Sequence, residues 1–124
     1  MLQPRILVVD DDELVRNVLK TILESNGYEV LTATNGREGV DIFHREGGRV
    51  DTVLLDLNMP VLDGEQALEE LRKTGANVPI WIMTGYDALN RDVKLAADKR
   101  VAGVLRKPIS TDTLIQAIAS SLRP

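Results

Sequence analysis

Cysteine is absent from all 124 residues. That absence excludes disulfide frameworks, thiolate zinc sites and cysteine nucleophiles together, and it suits a reducing compartment. Aromatic side chains are scarce: Tyr28, Phe43, Trp81 and Tyr86 complete the set. The core must therefore be aliphatic, and the stacking platforms of single-stranded nucleic-acid binders are missing. No stretch approaches the roughly eighteen apolar residues that a membrane span needs. Met1 to Arg5 runs straight into the short apolar stretch Ile6-Leu7-Val8-Val9, so no secretory leader is expected and the expected location is cytoplasmic. Neither GxGxxG nor GxxxxGK[ST] occurs, which removes the usual loops that cradle a free nucleotide phosphate.

What is present is the composition of one ordinary domain, 44% hydrophobic and 27% charged, expected to span residues 1–124 with a core over about 4–122. The net charge of -4 is unevenly placed. Twelve acids and six bases lie in residues 1–64, against seven acids and nine bases in residues 65–124, so the halves carry -6 and +2. Four acids are consecutive, Asp10-Asp11-Asp12-Glu13. Such a run is costly unless solvent, helix N-terminal amides or a cation offsets the repulsion.

Apolar runs alternate with helical patterns from end to end, the sequence form of a parallel sheet covered on both faces. The expected strands are Ile6–Val9, Tyr28–Thr32, Thr52–Leu55, Ile80–Met83 and Val101–Leu105. After the first, Leu14, Val15, Val18, Leu19, Ile22 and Leu23 recur at helical spacing until Asn26-Gly27. A weaker helix opens at Asn35 with Glu38 three residues on, another holds Ala67, Leu68 and Leu71, and a fourth is expected over about 87–99. The last opens near Ser110 and is expected to bury Leu114, Ile115, Ile118 and Leu122. Five such units without a glycine-rich fingerprint predict an α/β, flavodoxin-like (βα)5 doubly wound parallel sheet in the order 2-1-3-4-5.

Ligands in such sheets bind beyond the carboxyl ends of the strands. Those ends carry Asp10 and Asp11, Asp56, Thr84 and Lys107. Converging carboxylates either take up protons or bind a cation, and all-oxygen ligands select a hard one, with magnesium the expected cofactor. Lys107 is superfluous to a bare metal site but suits a phosphoryl group, to which the Thr84 hydroxyl can donate. A strand-end carboxylate beside magnesium can itself become phosphorylated, and Asp56, flanked by Leu55 and Leu57, is the candidate.

Val8-Val9-Asp10-Asp11, Asp56-Leu57-Asn58-Met59-Pro60 with Asp63-Gly64, Thr84-Gly85 and Lys107-Pro108 stand in an order that resembles the receiver domains of bacterial two-component signalling, the CheY-like response regulators. The resemblance spans nearly the whole chain. It implies that Asp56 accepts a phosphoryl group from a histidine kinase or a histidine phosphotransfer protein. It also implies that Asp11, Asp56 and the Asn58 backbone carbonyl ligate Mg2+, with Asp10 acting through water. Thr84 and Lys107 would hold the phosphoryl oxygens and draw the ends of strands four and five inward. The surface of the fourth helix, fifth strand and fifth helix would then change for a downstream protein partner, in a monomer or a phosphorylation-dependent dimer. Direct binding to nucleic acid or membrane is not expected.

Two positions depart from the family pattern. Val104 stands three residues before Lys107, where an aromatic is usual, so a switch built on a rotating ring is not available there. Tyr86 stands two residues after Thr84, where it can shield the acyl phosphate from water. Asp12 and Glu13 read as helix caps, His44 as a surface residue, and Lys107-Pro108 as a candidate cis peptide. Arg91, Lys94, Lys99, Arg100 and Arg106 form a basic cluster that is either a solvated face or a partner surface. Alternatives are a receiver excised from a hybrid sensor kinase or longer response regulator, and, in another class, a magnesium-dependent aspartyl-phosphate phosphatase. The phosphatase pattern puts Asp-x-Asp on strand one beneath a cap, and no cap insertion exists here. The expectation is a protein that accepts and loses phosphate without being a turnover enzyme.

Overall fold

Residues 3–46, 49–57, 64–73, 77–85 and 101–122 are described by the structure, a computed structural model. Five strands, β1 (Arg5–Val9), β2 (Glu29–Ala33), β3 (Thr52–Asp56), β4 (Ile80–Thr84) and β5 (Gly103–Arg106), make one parallel sheet in the order β2-β1-β3-β4-β5. The predicted winding is the observed one. The described helices are α1 (Glu13–Ser25), α2 (Gly36–Glu46), α3 (Gly64–Lys73) and α4 (Thr111–Ser121). The helix expected over about 87–99 lies outside the described residues, so α4 is the fifth helix of the sequence reading.

The strands read as continuous apolar runs because both faces of the sheet are covered. Alternate side chains divide between two cores. Leu7, Val9, Val53, Leu55, Ile80 and Ile82 pack with Val40 and Phe43 of α2 and Leu68 and Leu71 of α3. Ile6, Val8, Leu54, Met83 and Leu105 pack with Leu19 and Leu23 of α1 and Leu114 and Ile118 of α4.

The helix ends follow local chemistry. The Asp12 carboxylate accepts from the backbone N–H groups of Leu14 and Val15, so the cap reading of this acid holds. Gly27 sits at φ 89° just past the Asn26 C-cap, where a side chain would be strained. Ser110 caps α4 through the N–H of Thr113. At α2 the Asn35 side chain accepts from Glu38 N at 2.8 Å, while the Glu38 carboxylate turns back to Thr34 N at 2.9 Å, one residue earlier than a standard capping box.

Some expectations are corrected. β5 begins at Gly103 instead of Val101, because its pairing with β4 opens at Trp81 opposite Gly103, just after the Ala102 N–H bond to the Ile80 carbonyl at 2.8 Å. β2 runs one residue later than expected, to Ala33. On α4, Ile115 and Leu122 are only partly buried, and Ala117 takes the core position beside Leu114 and Ile118. On α1 the apolar stripe splits: Leu19 and Leu23 are buried, whereas Leu14 is 71% and Val18 48% exposed. At the opposite end of the sheet from the predicted rim, Arg5 pairs with Glu29 of β2 and Glu46 of α2, and its backbone N–H donates to the Asp51 carboxylate.

Candidate phosphoryl and metal site

The carboxyl ends of β1, β3, β4 and β5 place their terminal side chains on one rim. Asp10, the first residue past β1, is fully buried; Asp56 closes β3 and is 4% exposed; Asp11 is exposed. One carboxylate oxygen of each lies within 4.8 Å of the others. Adjacent side chains of an extended strand point to opposite faces, so Asp10 and Asp11 can meet only because the chain leaves the strand after Val9. The Asp12 N–H then donates to Asp10 Oδ1 at 2.9 Å and tightens that exit.

Lys107 follows β5 directly, and its backbone N–H donates to the Thr84 carbonyl at 2.7 Å. Its ammonium reaches Asp10 Oδ2 at 2.8 Å and Asp56 Oδ2 at 3.4 Å. The Lys107-Pro108 peptide is cis. Burial pulls the ammonium pKa down, but the adjacent Asp10 and Asp56 carboxylates outweigh it and hold the group above its ordinary 10.5. Asp10 Oδ2 is buried with no donor in hydrogen-bonding geometry, so its contact with Lys107 is an ion pair of poor angle. Thr84, the last residue of β4, is fully buried, and among the described residues its hydroxyl makes one long bond, to the Gly85 carbonyl at 3.3 Å.

The donor set fits a small hard cation. Three converging carboxylates, one with a buried oxygen lacking a well-directed donor, offer oxygen ligands and a charge that one lysine does not cancel. The structure thus brings Asp10, Asp11, Asp56 and Lys107 together, with Thr84 at the neighbouring strand end. Asn58, Tyr86, Arg91, Lys94, Lys99 and Arg100 lie outside the described residues. Val104 is partly buried against the core beneath α2 and α3. His44 is exposed on α2 and takes no part in the cluster.

Two features of the rim escaped the sequence reading. Arg16 of α1 donates from Nη1 to the Asp10 carbonyl at 2.7 Å. Leu14, Val15, Val18 and Leu19 of α1, with Pro108 and Ile109, line an open groove that has Lys107 as part of its wall. The six-residue reach from Arg16 to Asp10 has no sequence signature. The groove was signalled only by an apolar stripe wider than one buried face requires.

Known proteins resemble this chain in sequence and fold. The chain is 40% identical over 119 residues to the response regulator MprA of Mycolicibacterium vanbaalenii, an alignment covering 96% of this chain and 50% of that protein. It thus spans about half the length of the curated relatives it matches first. The crystal structure of a response regulator receiver domain protein from Clostridium thermocellum superposes with a TM-score of 0.89 at 34% identity, covering 96% of this chain and 94% of that one. The receiver domain of the hybrid histidine kinase CckA gives a TM-score of 0.80 at 30% identity over 96% and 99% of the two chains. The family match runs over residues 6–119, from the first strand through the last helix and across every strand end described above; this chain belongs to the response regulator receiver domain family.

Proposed function

We propose that this receiver domain is a phosphoacceptor of a two-component phosphorelay, with Asp56 taking the phosphoryl group from a histidine kinase or histidine phosphotransfer protein. The observation that carries the reading is the buried Asp56 carboxylate set within 4.8 Å of two other acids and 3.4 Å from the Lys107 ammonium. An Asp56 oxygen attacks the phosphorus of a phosphohistidine, the P–O bond forms as the P–N bond breaks, and the donor imidazole leaves with the electron pair and recovers a proton from water. Magnesium, when bound, would neutralise the carboxylates and the transferring oxygens. Asp11, Asp56 and the Asn58 carbonyl would hold it, with Asp10 acting through water. Lys107 would move its charge from the Asp10 carboxylate to a phosphoryl oxygen, and the Thr84 hydroxyl would exchange its long bond to Gly85 for another.

The donor docks, in this reading, on the groove of Leu14, Val18, Pro108 and Ile109. Lys107 is shared between that groove and the acid cluster, so a helix seated there brings its histidine to Asp56. The output surface is the fifth strand with the helices flanking it, and Arg106, exposed at the end of β5, belongs to it. With Val104 in place of an aromatic, movement of the Thr84 and Lys107 strand ends carries the change. The domain is a phosphorylated switch that loses its phosphoryl group by hydrolysis and turns over no other substrate. It works alone or as part of a longer response regulator or hybrid kinase, in the cytoplasm, as a monomer or a phosphorylation-dependent dimer.

Incubation with magnesium and a small acyl phosphate should add one phosphoryl group by intact mass, and Asp56→Ala should add none. Equal labelling of the variant would overturn the assignment. Sustained phosphate release from simple phosphomonoesters would favour the phosphatase alternative instead.

A further inference from the structure

The Asp10–Asp11 peptide joins two of the three acids of the cluster, and its carbonyl has left the sheet. Asp10 N still donates to Ala33 O at 3.1 Å, the last bond of the ladder on that side, but no backbone N–H among the described residues donates to the Asp10 carbonyl. Asp10 is fully buried, and a buried carbonyl without a donor is costly. Arg16 supplies the donor. Its guanidinium reaches back along α1, as helical side chains do, and meets that oxygen at 2.7 Å, the one hydrogen bond its side chain makes among the described residues.

Asp10 is thereby held at each polar atom: N by Ala33, the carbonyl by Arg16, Oδ1 by the Asp12 N–H and Oδ2 by the Lys107 ion pair. Asp11 is exposed, and among the described residues its carboxylate has no hydrogen bond or ion pair to restrain it. The direction in which it leaves the chain is set by the peptide plane that Arg16 fixes. We propose that Arg16 is a positioning residue of the metal site: by holding the Asp10 carbonyl it fixes the peptide between Asp10 and Asp11, and so sets the site's preference for magnesium over calcium. This rests on the metal reading given above.

The choice between the two ions reads geometry separately from charge. Both carry the same charge, so losing the Arg16 cation shifts both affinities in the same direction and by similar factors. Magnesium demands near-ideal octahedral geometry, whereas calcium tolerates irregular and larger shells. Loosening the Asp11 carboxylate therefore penalises magnesium selectively.

The test is calorimetric titration of the full chain with magnesium chloride and, separately, calcium chloride, in wild type, Arg16→Met and Arg16→Gln, each checked by a thermal melt. Either variant is expected to lower the calcium-to-magnesium ratio of dissociation constants by about tenfold, the low end of what losing a supporting partner costs a metal site. Gln keeps helix propensity and solubility should Met impair folding. Variants in which both constants shift by the same factor overturn the proposal while leaving the metal site intact. A wild-type chain that binds neither ion overturns the metal reading, and this proposal with it.

Discussion

Lys107 is the residue on which the metal-free rim turns, since it offsets two carboxylates that otherwise face each other and Asp11. Lys107→Met should lower stability in EDTA by about 1–3 kcal/mol, the cost of leaving a buried polar group unpaired. Magnesium should restore more stability to that variant than to wild type, because it replaces a missing cation. Urea denaturation in EDTA and in magnesium measures both. The pH dependence has a definite sign. A lysine whose folded pKa lies above its ordinary 10.5 contributes stability that is complete below 10.5 and lost as pH rises through the folded value. Melting temperature should fall above about pH 10.5, and Lys107→Met should lack that component. Asp10, Asp11, Asp56, Thr84 and Lys107 were all legible in the sequence, because a doubly wound sheet delivers its strand-end residues to one rim. Arg16 was not, because its role is a contact with a carbonyl that the turn alone sets free.

Between elements, two close approaches are held by glycine. A Cβ on Gly103 of β5 would collide with the Trp81 indole of β4, which lies across that strand and donates from Nε1 to Ser121 Oγ of α4 at 2.6 Å. A Cβ on Gly39 of α2 would fall 2.8 Å from Val9 Cγ2. Gly39→Ala gains about 1 kcal/mol of helix propensity, but overpacking a rigid strand costs about 1–3 kcal/mol, so net destabilisation is expected in urea titrations. Gly103→Ala should do the same and shift the emission of Trp81, the sole tryptophan, to the red as it is displaced toward water. At the other end of the sheet, Arg5 joins β1, β2 and α2. Its hydrogen bond holds the Glu29 carboxyl below the usual 4.5, so this contribution is complete above 4.5 and lost as pH falls through the depressed value. A melting-temperature series from pH 6 to 3, the range about the ordinary carboxyl pKa, should show a smaller acid loss in Arg5→Ala. The element order was legible because continuous apolar runs of strand length separated by helical stripes admit few packings. Element ends were less so: the start of β5 is set by where it pairs with β4, Gly103 against Trp81, which no window along residues 101–106 contains.

For the whole molecule, the unequal charge of the two halves acquires a location. Three acids of the -6 half and the lysine of the +2 half meet at one rim, and the exposed apolar residues of α1 stand beside them. Leu14→Ser and Val18→Ser should change stability by less than about 0.5 kcal/mol, as surface substitutions do. Labelling by a small acyl phosphate should also be unchanged, while phosphotransfer from a phosphorylated histidine donor falls. Loss of both labelling routes would place these residues in the acceptor site and not in a docking face.

The sequence by itself determined the class of sheet, its winding and the acids, threonine and lysine at its strand ends, because side-chain period and strand polarity are properties of contiguous residues. Only the tertiary structure decided which half of the α1 stripe is covered, that Lys107 bridges Asp10 and Asp56, that Trp81 lies on Gly103 and that Arg16 holds the Asp10 carbonyl. The physical reason is that burial and pairing belong to residues far apart in the chain. Their energies exist only once the sheet has brought those residues within contact distance.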